Sequence, residues 1–326
     1  MKQESDSLKK YIFGPVPSRR LGMSLGVDLI PFKTCTYNCV YCQLGATICK
    51  TLQRQSFVTI EEVLGELKDS LDSRTGNVDF ITFSGSGEPT LNSDIGSMIE
   101  QVKSFAQVPV AVITNGSLLY RDDVRKDLSK ADLIVPSLDA ITERTFARVN
   151  RPHEGLTMEL IVEGLKKLTE EFQGEIWLEI MLVRGVNDDP EELKQMAELV
   201  RGLKVDRIQL NTVARPPAER FALAVIAEEM SDIAKVFDSR AEVIVDFPPL
   251  ISPRAREKGG KGHESHDKDI ETAIVSLLKR RPCMVDDISN SLGVHRNEVI
   301  KYVNSLTKDG TIRRVEHDGK WYYEKA

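Results

Sequence analysis

The sequence has no apolar run approaching the length that crosses a bilayer. Its opening, MKQESDSLKKYIFG, has no apolar signal-peptide core either, which predicts a chain that is not exported. Cysteine is scarce and unevenly placed: of five, three fall within eight residues, and Cys49 and Cys283 stand alone. That is no disulfide framework, and it points to a reducing cytoplasm. An excess of positive charge is missing too. A formal net charge of −6 excludes indiscriminate nucleic-acid binding by the whole surface, although it leaves room for a local basic patch. What remains is ordinary globular composition, 41% hydrophobic and 29% charged over 326 residues, enough for one large and one small domain.

The clustered cysteines, Cys35, Cys39 and Cys42, are spaced Cys-x3-Cys-x2-Cys, so a tight loop can turn three thiolates toward one centre. A four-iron cluster takes one thiolate per iron, so three would leave one iron open. Structural zinc instead needs a closed tetrahedron, which Cys49 or a distant histidine would have to complete. Ligand count alone leaves both readings standing.

Around this loop the chain alternates between two periods. Ser24 to Phe32 reads as a first strand delivering the loop, and the stretch before it, Tyr11 to Arg20, reads as irregular because it is dense in Gly, Pro and Arg. Thr59-Ile-Glu-Glu62 reads as a capping box opening a helix of about three turns. Further strands are predicted at Val78 to Phe83, Val108 to Ile113, Asp132 to Pro136, Ile176 to Val183, Asp206 to Leu210 and Glu242 to Val245. Helical periodicity fills Asp94 to Phe105, Arg121 to Ser129, Met158 to Phe172, Pro190 to Leu203 and Ala218 to Phe237. Short, continuously apolar strands alternating with helices mean an α/β fold with a parallel sheet, here a partial (β/α)6 barrel.

In such barrels chemistry sits where strands give way to loops. The residues there are Ser84-Gly-Ser-Gly-Glu-Pro89, Thr114-Asn-Gly116, Ser137-Leu-Asp139 and Asn211-Thr212, with Glu179 inside the fifth strand of the series. Each alone is ordinary turn or cap chemistry. Together they converge on the end that carries the cysteine loop. Arg19 and Arg20 near that loop, Arg151 and His153 in a polar connection, and Arg215 stiffened by Pro216 and Pro217 are candidates for an anionic substrate. Cys49 reads as an unremarkable small residue on the outgoing loop, a hydrogen donor or acceptor for a radical, or a ligand to something else.

Residues 251–267 read as a flexible, charged, glycine-rich linker between a large domain at 1–250 and a small one at 268–326. The small one reads as three helices and a two-stranded hairpin, a winged helix-turn-helix. From Asp267 to Ala326 there are eleven Lys or Arg and ten Asp or Glu, a balance that weakens a DNA-reading role. His295, Arg296, Asn297, Lys301, Arg313 and Arg314 still permit nucleic acid, and winged folds also bind peptides or partner subunits.

The cysteine triplet with Tyr41 before its last ligand, and Ser86-Gly-Glu88, resemble the cluster loop and Gly-Gly-Glu motif of the radical S-adenosylmethionine (SAM) superfamily. The strings GPVPSRRLG, VDLIPFKTC, VYCQLG, FSGSGEPTL, NRPHEG and IQLNTVARPP resemble a branch of iron–sulfur oxidoreductases related to wyosine-synthesis tRNA enzymes. The resemblance implies a [4Fe–4S] cluster on Cys35, Cys39 and Cys42 whose open iron binds SAM. It implies reductive cleavage of SAM to a 5′-deoxyadenosyl radical that abstracts a substrate hydrogen, fed by an electron donor such as flavodoxin or ferredoxin. Ser86, Gly87 and Glu88 would then hold the methionine amine. Asn115, Ser137 and Asp139 would meet ribose or carboxylate, Tyr41 the adenine, and Glu179 and Asn211 the SAM or substrate. An RNA base is the first substrate expected; peptide or glycyl-radical-enzyme modification, and a SAM- or redox-sensing DNA-binding regulator, are the alternatives.

Overall fold

The structure is a computed structural model describing residues 11–73, 77–244, 264–292, 294 and 296–326, with side chains of 264–269 outside that set. Its first elements are β1 (Ile12–Ser18), β2 (Gly22–Val27), the two-residue β3 (Thr34–Cys35) and β4 (Cys49–Lys50), and α1 (Ile60–Asp72). Then come β5 (Phe80–Phe83), α2 (Ile95–Phe105), β6 (Val110–Thr114), α3 (Asp122–Leu128), β7 (Leu133–Pro136), α4 (Glu143–Val149) and α5 (Met158–Glu171). The series continues with β8 (Glu175–Leu182), α6 (Pro190–Arg201), β9 (Arg207–Thr212), α7 (Ala227–Ala234) and β10 (Ala241–Ile244). It closes with α8 (Glu264–Leu278), α9 (Val285–Leu292), α10 (Arg296–Lys308), β11 (Ile312–His317) and β12 (Lys320–Lys325).

One sheet of eight strands runs β1-β2-β5-β6-β7-β8-β9-β10, parallel throughout except for the antiparallel edge pair β1 and β2. Its parallel strands are nearly continuous apolar runs, as strands covered on both faces must be. Leu25, Ile81, Phe83, Val112, Ile134, Ile180 and Leu210 are fully or almost fully buried against inward helix faces such as Val63 and Leu67 of α1. Six strand–helix repeats precede β10, and the ends β1 and β10 do not pair with each other among the described residues.

Several expectations need correction. Tyr11 to Arg20 is mostly a strand, β1, because an edge position tolerates Pro15 and Pro17 and the ladder shifts register between Phe13 and Val16. The following strand stops at Val27 rather than Phe32. Thr59 caps α1 without a side-chain bond, and the Glu62 carboxylate expected to complete the box instead accepts from the Tyr11 hydroxyl at 2.8 Å. The segment after Pro217 becomes helical only at Ala227, its earlier part being held as a loop by Val225 N–H to Thr212 Oγ1 and Arg184 N–H to Leu223 O. Helix α4 had no place in the predicted series; Thr142 caps it, its hydroxyl accepting from Thr145 N–H.

Most of the expected linker, 251–263, lies outside the described residues, as does His295, while 264–267 already belong to α8. The C-terminal helices enclose a second core of Ile274, Leu277, Leu278, Ile288, Val299 and Val303. That core continues onto the sheet through Val16, with Phe13 packed against it, so β1 joins the two parts. The hairpin turns at Asp318-Gly319, both at positive φ, as a tight antiparallel connection demands.

Candidate active site

A cavity of about 400 Å³, within the range of small-molecule sites, opens at the C-terminal ends of the parallel strands. All three clustered cysteines line it. Their loop leaves β2 and is clamped by its neighbours: Asn38 N–H bonds Asn150 O, Val40 N–H bonds Val149 O, and Thr36 Oγ1 meets Ser117 Oγ at 2.7 Å. Asn115 Nδ2 reaches Cys35 Sγ and Asn150 Nδ2 reaches Cys39 Sγ, each at 3.5 Å. Burial pushes all three thiols up, Cys35 to about 12 with Glu88 adding to the effect. No group of three ligating side chains is tight enough for a single ion among the described residues. A cluster, whose thiolates sit on separate irons, fits this spacing better than zinc.

Glu88 follows β5 and is buried with its carboxylate heavily bonded. Oε1 accepts from Thr90 N–H, Thr90 Oγ1 and Thr114 Oγ1, and Oε2 from Asn115 N–H at 2.8 Å, leaving Oε2 the freer acceptor. The preceding loop admits no bulk: a Cβ on Gly87 would lie 1.9 Å from Thr34 O, and Gly85 adopts φ of +147° beside Asp28. The Ser86 hydroxyl, where a glycine is usual in the resembled motif, is tied back to Asp28 Oδ2 at 2.6 Å, while Ser86 N–H donates to Oδ1. Ser86 lines the cavity with its hydroxyl committed to Asp28.

The other expected contacts divide. Tyr41, Asn115, Ser137, Glu179 and Asn211 line the cavity, and among the described residues the Ser137 hydroxyl makes no hydrogen bond. Asp139 is not among the lining. Its carboxylate accepts from Tyr41 Oη at 2.5 Å, Asn150 Nδ2 at 2.7 Å and Met181 N–H at 2.9 Å, so it braces the wall from behind. Burial raises it to about 6 despite those donors. Glu179 and Asn211 turn out to hold arginines. Glu179 accepts from Arg20 Nη2 at 2.5 Å and Asn211 Nδ2 at 3.0 Å, and Asn211 Oδ1 accepts from Arg19 Nη1 at 2.9 Å. Burial would raise the Glu179 carboxyl, yet the arginines outweigh it and hold it below its usual value.

Among the substrate-side candidates, Arg19, Arg20 and Arg215 line the cavity, and Arg151, His153 and Cys49 do not. Arg151 pairs with Glu219 at 2.5 Å beside a separate surface depression, His153 Nδ1 accepts from Gly155 N–H, and Cys49 is exposed on β4, whose pairing with β3 sets it outside the lining. Polar loops draw such residues to local partners that sequence position does not reveal. On the C-terminal part, Arg296 pairs with Asp286, Arg313 with Glu324, and Arg314 lies over the Trp321 ring. Missed altogether were Lys33, Arg280 and Arg281, which also line the cavity. Arg280 and Arg281 follow α8 directly, and only the packing of that helix on β1 brings them there.

Comparison with known proteins supplies the rest. Residues 29–200 match the family described as Radical SAM superfamily. A protein of Brachyspira hyodysenteriae named GTPase Obg is 39% identical over 99% of this chain, which spans only 46% of that relative's length. A UPF0026 protein of Methanocaldococcus jannaschii is 32% identical over 96% of this chain and 95% of its own. Among solved structures, a radical SAM methyltransferase from Sphaerobacter thermophilus aligns with a TM-score of 0.52 at 18% identity, over 68% of this chain and 65% of that one, and shares the fold.

Proposed function

The chain belongs to the radical SAM superfamily of enzymes, which use a [4Fe–4S] cluster and SAM, and we propose that Cys35, Cys39 and Cys42 ligate that cluster. The observation that carries this is a single cavity lined by the three thiols together with Glu88. When bound, cluster and SAM supply one-electron C–S cleavage to methionine and a 5′-deoxyadenosyl radical that takes a hydrogen atom from the substrate. The protein's own task is placement. Asn115 and Asn150 direct N–H groups at the sulfurs of Cys35 and Cys39, which tunes a cluster's potential. Glu88 would hold the methionine ammonium through a charge-assisted hydrogen bond. Ser137 would offer its hydroxyl to the ribose, and Tyr41, pinned through Asp139, would give the adenine a fixed surface.

In this reading residues 1–250 form the catalytic domain, 251–263 join it to the rest, and 264–326, from the start of α8, are a winged-helix module. The helix–helix–helix–hairpin order and the separate core support that assignment. A one-electron donor such as flavodoxin or ferredoxin serves the cluster. The substrate is an RNA base, a reading supported by the motif strings and by the arginines around the cavity. No helix is long and apolar enough to cross a membrane among the described residues.

Reconstituted, reduced protein given SAM is expected to form 5′-deoxyadenosine, assayed by chromatography. With base-deuterated RNA present, deuterium is expected in that product. Protein with a full cluster that never cleaves SAM would overturn the enzymatic reading.

A further inference from the structure

The cavity is lined by six cationic side chains, Arg19, Arg20, Lys33, Arg215, Arg280 and Arg281, and by two carboxylates, Glu88 and Glu179. Part of this charge is not self-neutralised. Arg20 is paired with Glu179, and Arg280 lies 3.4 Å from Asp28. Arg215 and Arg281 have no salt-bridge partner among the described residues. The one bond Arg215 makes there is a long one, 3.5 Å to Gln43 Oε1, and Nη2 of Arg281 is buried with no hydrogen-bond partner. Asp287 is the acidic neighbour that Arg215 feels, and it does not line the cavity.

A guanidinium enclosed without a counter-ion is costly, and like charges beside it add to the cost. Burial, with Arg281 and Arg19 next to it, depresses Arg215 to about 10. Three separate chain segments converge to build this arrangement: the β1–β2 turn, the loop after β9 and the end of α8. The Tyr322 hydroxyl donates to Ala214 O at 2.9 Å, and so holds the C-terminal part against the residue preceding Arg215.

From this arrangement we infer that Arg215 and Arg281, flanked by Arg19, form a phosphate-binding subsite that anchors the substrate beside the SAM-binding wall. One carboxylate needs a single bidentate arginine, whereas several convergent guanidinium forks match the charge and the many acceptor oxygens of phosphate. The inference rests on the reading above for what happens next to the anchored group, but not for the anchoring itself. The shared chemistry is a phosphate ester, whether of a free nucleotide or of an RNA backbone.

The test is binding to the reconstituted full-length protein by calorimetry, independent of SAM cleavage, using inorganic pyrophosphate, uridine 5′-monophosphate, uridine and a short single-stranded RNA. Pyrophosphate is expected to bind, and uridine monophosphate at least tenfold more tightly than uridine. RNA tighter than the mononucleotide identifies the backbone as the source; the reverse identifies a free nucleotide. The doubly substituted Arg215→Gln, Arg281→Gln protein is expected to lose pyrophosphate affinity at least tenfold more than SAM affinity. On the unaltered protein, pyrophosphate is expected to protect Arg215 and Arg281 from phenylglyoxal, read by mass spectrometry, which keeps the test decisive should the variant not fold. Succinate binding as tightly as pyrophosphate, an equal loss of SAM affinity, or unprotected arginines would overturn the inference. Phosphate binding without SAM cleavage would sink the enzymatic reading alone.

Discussion

Two parts of one cavity follow opposite rules. The part built from the loops after β2, β5 and β6 is saturated by its own hydrogen bonds: Glu88 accepts four, and Asn115 fastens both Thr36 and Ser117. The part built from the β1–β2 turn, the loop after β9 and the end of α8 keeps donors without acceptors, as at Arg281. Saturated groups fix a geometry before anything binds, which suits cofactors that are the same at every turnover. Groups left unsatisfied wait for a ligand to complete them, which suits a substrate. The difference separates machinery from recognition within a single pocket.

Substitutions sharpen this contrast, beginning with the largest effect. Cys39→Ala is expected to remove bound iron and sulfide together with all 5′-deoxyadenosine formation, measured by metal analysis and chromatography. A variant that kept both would break the assignment of the cysteine side. Next, Glu88→Gln keeps the shape but removes the charge facing the methionine ammonium. A charge-assisted hydrogen bond is worth about 1.5–3 kcal/mol, so SAM affinity is expected to fall roughly ten- to a hundredfold with the cluster's absorbance retained. Unchanged affinity would mean that Glu88 only organises Thr90, Thr114 and Asn115. Smallest is Tyr322→Phe, which deletes the bond to Ala214 O and is expected to cost about 1 kcal/mol in thermal unfolding. Pyrophosphate affinity is expected to drop in that variant while SAM affinity holds, because only the arginine side depends on the contact. Equal losses would erase the distinction.

The same contrast explains what could be read from sequence. The cysteine loop and Ser86-Gly-Glu88 are contiguous motifs, so the resemblance that suggests their roles could be read straight from the chain, and the strand–helix alternation announced the parallel sheet. Asp139 misled because a carboxylate after a strand looks the same whether it faces the cavity or, as here, Tyr41 and Asn150 behind the wall. Glu179 and Asn211 were recognised as cavity residues, but that they position Arg20 and Arg19 depends on contacts 159 and 192 residues apart. Arg280 and Arg281 carry no motif at all. Their place comes from α8 packing on β1, and β1 itself was hidden by its prolines.

Asp28 deserves a last consequence. One of its oxygens receives both the Ser86 hydroxyl and the approach of Arg280, while the other receives Ser86 N–H. A carboxylate shared in this way couples two equilibria, and coupling is reciprocal. An anion that drew Arg280 away would leave Asp28 to its bonds with Ser86, so the end of α8 and the loop that carries Gly87 and Glu88 would be linked through one carboxylate. The order in which the two ligands arrive then changes the route but not the total.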